Sequence, residues 1–118
     1  AFLRSPRTGR VWWFANILDH PVPAQYPRCP LSMAEFDPQR QCLRRASLQV
    51  VQDLPPGAPP GKTDRPACDE DCGRQYTNFG AYVDRESDEM VLTLPEMPKV
   101  SWADFTSDCI QIRIRDDG

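Results

Sequence analysis

Five cysteines, Cys29, Cys42, Cys68, Cys72 and Cys109, and a single histidine, His20, are the side chains best suited to chemistry in this chain. Thiolates bind zinc, run redox cycles or pair as disulfides, and their spacing separates these uses. Structural zinc sites present cysteines in close pairs about two to four residues apart. Cys68 and Cys72 meet that loosely, whereas Cys29 and Cys42 do not. Asp69, Glu70 and Asp71 lie between Cys68 and Cys72. Their charges would raise the thiol pKa, which disfavours a redox pair. They also lack the alternating oxygens and central glycine of a calcium loop. No metal or cofactor is therefore expected. Disulfide staples remain, with Cys29–Cys42 as the favoured local pair. Cys109 is expected to reach the loop of Cys68 and Cys72, which leaves one cysteine over. Such staples predict an extracellular or other oxidising compartment. The alternative is an organelle after removal of a presequence.

Acid–base catalysis needs a second group poised near the first. His20 sits beside Asp19 ahead of Pro21, with no nucleophile in a recognised setting. Ser47 and Ser101 lack an elbow motif. Asp84, Glu86, Asp88 and Glu89 form a polar run that reads as a soluble connection rather than a glycosidase pair. Pro59-Pro60-Gly61-Lys62-Thr63 ends like a phosphate loop, but it has prolines where amide donors are needed. The chain is accordingly read as non-enzymatic. Arg44-Arg45-Ala46-Ser47 has the spacing that basophilic kinases select. In a chain read as extracytoplasmic, that match is taken as coincidence.

The net charge is −3, but residues 1–45 carry +4 and the remainder −7. Twelve of the fourteen basic residues are arginine, whose planar fork suits fixed ion pairs. An acidic chain poor in lysine argues against nucleic acid. The longest apolar run, residues 11–15, is too short to span a bilayer. No secretory leader is visible. Residues 1–10 hold Arg4, Arg7 and Arg10 and no acid, and are expected to form a solvated basic arm.

The elements that must position these residues are mostly strands. Residues 11–18 read as a strand covered on both faces, 46–54 and 76–83 as alternating strands, and 90–94 as the partner of 76–83 in a hairpin. Residues 109–115 alternate Ile110, Ile112 and Ile114 inward with Gln111, Arg113 and Arg115 outward. Ser32 and Glu35 have the spacing of a capping box, and Asp37-Pro38 offers a helix start, which predicts a short helix over 38–45. A second short helix is expected from Ser101 to about Ser107. The proline-rich stretch 55–66 reads as a surface loop. Residues 11–118 thus form one mainly β domain, a small antiparallel sandwich or partly open barrel with two short helices.

Aromatic content points to binding. Trp12 and Trp13, adjacent on a strand, must face opposite ways, so one enters the core and the other lies on the reverse face, under a helix, against a partner or stacked on a sugar. With Tyr26, Trp102, Arg4, Arg7 and Arg10 they make up the candidate binding residues. The expected function is a protein-binding module or accessory subunit of a larger assembly. A secreted carbohydrate-binding module is the alternative, and a small secreted hydrolase stands behind it.

Overall fold

The computed structural model describes residues 1–17, 28–53, 75–95 and 108–118. Among the described residues eight strands run in chain order: β1 Phe2–Arg4, β2 Val11–Ala15, β3 Leu31–Asp37, β4 Cys42–Leu43, β5 Gln49–Gln52, β6 Gly80–Asp84, β7 Glu89–Pro95 and β8 Cys109–Ile114. They form two antiparallel sheets that are not closed into a barrel. The larger sheet runs β1-β2-β3, and both β4 and β5 pair with β3; the smaller runs β6-β7-β8.

Period-two patterning decides which face of each strand is buried. Trp12, Phe14, Leu31 and Met33 of the larger sheet meet Met90, Leu92 and Leu94 of the smaller in one core cluster. Ile110, Ile112 and Ile114 pack against that cluster, opposite Leu94, Leu92 and Met90 in the β7–β8 register. The alternation expected for the last strand is therefore realised, with Gln111, Arg113 and Arg115 exposed. The hairpin expected of 76–83 with 90–94 is realised too, although β6 begins only at Gly80.

The first expected helix is absent. Residues 31–37 are strand, and Cys42–Leu43 is strand again, so no α-helix occupies 38–45. The cap chemistry is nonetheless in use: Asp37 Oδ1 accepts the amides of Gln39 and Arg40 at 3.0 and 3.1 Å. These bonds hold a turn, which Gln41 ends at φ 53°. Ser32 and Glu35 form no capping box, because the amide of Glu35 goes to Ser47 Oγ at 2.8 Å. Leu31 and Met33 gain more by lying on the core face of a strand than local capping offers a helix. The second expected helix and the loop at 55–66 lie outside the described residues.

The basic head is not a solvated arm. Phe2, Leu3 and Arg4 pair with Trp13, Trp12 and Val11. The chain then reverses through Ser5-Pro6-Arg7-Thr8-Gly9, with Gly9 at φ 73°, a left-handed geometry that glycine adopts without strain. Ser5 and Arg10 close the turn through Ser5 N–H to Arg10 O at 2.8 Å. Among the described residues no helix is long and apolar enough to cross a membrane.

Candidate functional site

Three polar centres and one apolar face stand out. The first centre joins the two ends of the described chain. Asp116, only 7% exposed, accepts the Trp12 indole N–H at 2.9 Å and the hydroxyl of Thr8, and it pairs with Arg10. Arg10 also lies over the Trp12 ring, 5.1 Å from its centroid. Burial is the largest single influence on this carboxyl and pushes its pKa up. The hydrogen bonds from Thr8, Trp12, Arg10 and Ser5 together outweigh it and hold the pKa at about 2. Next to it, Asp117 Oδ1 accepts from Arg7 at 2.8 Å and from Arg115 at 3.1 Å. A cleft of about 320 Å³ opens beside this cluster. Its arginines, Arg10 and Arg115, are already committed to Asp116 and Asp117, so the cluster reads as a latch.

The second centre ties the end of β2 to the segment before β3 and to Tyr76. Asn16 Nδ2 donates to the carbonyls of Arg28, Tyr76 and Pro30 at 2.9, 3.0 and 3.2 Å. Tyr76, fully buried, donates its hydroxyl to Asp53 O at 3.1 Å. The third lies on the outer face of the smaller sheet. There Arg113 binds Asp84 at 2.9 Å and Glu89 at 3.0 Å. The hydrogen bond from Arg113, followed by the Glu86 amide, is what lowers the Asp84 pKa to about 2.

The apolar face is the outer side of the larger sheet. Trp12 turns into the core and Trp13 turns away from it, as adjacency on a strand requires. Phe2, 56% exposed, stacks on Trp13 with ring centroids 6.2 Å apart and meets Phe36 edge-on at 5.4 Å. Leu43, 37% exposed, sits opposite Phe36 in the β3–β4 register, and Val50, 58% exposed, sits opposite Ser32. Arg4 shares this face with Phe2, two residues along the same strand. Arg40 and Arg45 are exposed near β4 and carry no ion pair among the described residues.

The sequence-derived site is thus divided. Trp13 and Arg4 lie on the apolar face, while Trp12, Arg7 and Arg10 belong to the latch. Tyr26, Trp102, Cys68 and Cys72 lie outside the described residues, as does His20. Phe2, Phe36 and Leu43 were not anticipated. The signal for Phe2 was the turn chemistry of Ser5-Pro6 and Gly9, which folds residues 1–10 back as a strand.

Cys29, Cys42 and Cys109 carry free thiols. The expected Cys29–Cys42 pair is not formed because the whole of β3 separates its members. A seven-residue strand spans about 20 Å, far beyond the reach of a disulfide. Among the described residues no group of three or more histidine, cysteine or acidic side chains could hold a metal ion. No family model, no curated protein and no solved structure matches this chain.

Proposed function

We propose that this chain is a protein-binding module, an accessory subunit that docks through the outer face of its larger sheet onto a partner with an apolar centre and an acidic rim. The observation that carries the reading is the Phe2–Trp13–Phe36 cluster, continued by Leu43. Contiguous exposed apolar area of this kind marks interaction sites, and aromatic anchors dominate their energetics. Arg4 on this face, with Arg40 and Arg45 exposed in the chain on either side of β4, supplies positive charge that has no ion pair among the described residues, which selects carboxylates on the partner and speeds encounter. A sugar site presents a different pattern, one exposed aromatic ring flanked by polar hydrogen-bonding side chains.

Native sizing tests the reading. In its source extract the chain is expected to run in a particle well above its own 13.5 kDa. Phe2→Asp combined with Leu43→Asp should return it to monomer mass with an unchanged circular dichroism spectrum. A wild-type chain that is monomeric in the extract rejects the proposal. So does a purified chain that self-associates through this face, which would assign the face to a second copy. Binding to a glycan array that the double variant abolishes would favour the carbohydrate alternative.

A further inference from the structure

The motif Arg44-Arg45-Ala46-Ser47 acquires a definite place in the fold. It follows β4 at a break in the sheet edge, where β3 exchanges one partner strand for another. β4 pairs with Phe36 and Asp37, and β5 pairs with Leu31, Ser32 and Met33. Between them, Arg45–Ser47 forms a single 3-10 turn that buries no residue. Arg44, Arg45, Ala46 and Leu48 are exposed, and Ser47 is half-buried. Its hydroxyl donates to Arg44 O at 2.7 Å and accepts the Glu35 amide at 2.8 Å. Ser47 Oγ thereby stands in for a strand partner at the one stretch of this β3 edge that neither β4 nor β5 faces.

We infer that Ser47 is a phosphorylation site for an arginine-directed serine/threonine kinase, and that its phosphorylation releases β4 from β3. Two arginines lie three and two residues before the acceptor, and an exposed leucine follows it. This is the pattern that an acidic kinase subsite with an adjoining apolar pocket would recognise. A kinase needs the segment extended. Opening it breaks the turn bonds Ser47 N–H to Arg44 O and Leu48 N–H to Arg45 O and exposes no buried side chain of the turn. Segments held this lightly open at small cost.

In the transfer, Ser47 Oγ attacks the γ-phosphorus of ATP. The bond from that phosphorus to the bridging oxygen breaks, ADP leaves, and the hydroxyl proton passes to the kinase's catalytic carboxylate. That proton is the one now donated to Arg44 O, so the bond is lost with it. The phosphoryl group adds a charge of about −2. It does so beside Glu35 and Asp37, whose carboxylates Arg44 now holds at 3.1 and 3.5 Å. A dianion next to Arg44 outbids both. Only Leu43 and Cys42 then keep β4 in register, against Phe36 and Asp37. The phosphoryl transfer does not depend on what the apolar face binds, but β4 carries Leu43 of that face, so its release disturbs the face as well.

The test incubates the full folded chain with labelled ATP and a purified kinase that selects arginine three and two residues before serine, followed by phosphopeptide mapping. One phosphate is expected at Ser47, none in Ser47→Ala, and at least about tenfold less in Arg45→Ala. Arg45 carries no ion pair among the described residues, so its replacement leaves the fold intact. If the folded chain stays unlabelled while a peptide of residues 43–49 is labelled readily, the site is rejected. In native-state hydrogen exchange of the labelled protein, the Glu35 and Arg44 amides should exchange about tenfold faster. Unchanged exchange there rejects the release of β4.

Discussion

The indole N–H of Trp12 donates to Asp116 Oδ2 at 2.9 Å, a bond between residues 104 positions apart. It fastens the tail beyond β8 to the second strand of the other sheet. The same carboxylate also holds Thr8 and Arg10. The relationship makes the stability of the whole chain sensitive to one acid.

The pH dependence of that sensitivity has a definite sign. Asp116 has its folded pKa depressed from 3.8 to about 2. Its contribution is therefore fully present above pH 3.8 and disappears as pH falls through about 2. Thermal melts between pH 5 and pH 2 should show a loss on the order of 2 kcal/mol from this group. In Asp116→Asn the same interval should be correspondingly flatter. An identical acid profile for the two proteins would remove Asp116 as its cause.

Core truncation separates the faces of β7 and β8. Leu92→Ala should destabilise by about 2–5 kcal/mol, with Ile112→Ala, only partly buried, toward the low end. Urea unfolding midpoints measure both. An unshifted midpoint for Leu92→Ala would mean that the two sheets do not share a core.

Asn16→Ala removes the donor that serves three carbonyls. Leaving buried acceptors unpaired should lower the unfolding free energy by about 1–3 kcal/mol. Asn16→Asp should do worse, since it places a carboxylate against the same oxygens. Denaturant titration of the pair checks the order, and a milder effect from aspartate would reverse the assignment of donor and acceptor.

The thiols should differ in reactivity. Burial, followed by the charge of Asp53, raises the Cys29 pKa, while Cys42 and Cys109 are exposed. Brief treatment of the native chain with a polar alkylating reagent should label Cys42 and Cys109 and spare Cys29 until denaturant is added. Peptide mapping reads the sites. Equal labelling of Cys29 in the native state would show that its surroundings open readily.

What could be read from the sequence follows a physical division. The alternation of Ile110, Ile112 and Ile114 survived into the structure because side-chain period and burial are the same fact in a strand. The hairpin of β6 and β7 was legible because a short polar connection leaves only an antiparallel pairing. Asp37-Pro38 misled because a cap and a tight turn use the same bonds, and only the pairing of Leu43 with Phe36 separates them. Cys29 and Cys42 looked adjacent in the chain but stand at opposite ends of an extended strand. The apolar face was half legible. Adjacent tryptophans required one outward ring, but its neighbours Phe2 and Phe36 come from strands whose register no local pattern encodes.

The Trp12–Asp116 bond also bears on how the protein comes into being. A chain leaves the ribosome from its N-terminal end, so β1, β2 and β3 emerge long before β8 and the aspartate that follows it. Until β7 is made, the inner face of the larger sheet lacks Met90, Leu92 and Leu94 opposite it, and until Asp116 is made, the Trp12 indole lacks its carboxylate acceptor. Long-range pairing of this kind is slow and leaves apolar strands uncovered meanwhile. The nascent protein must therefore wait, with its most aromatic strand unprotected, and it belongs among those whose yield depends on what shields them during synthesis.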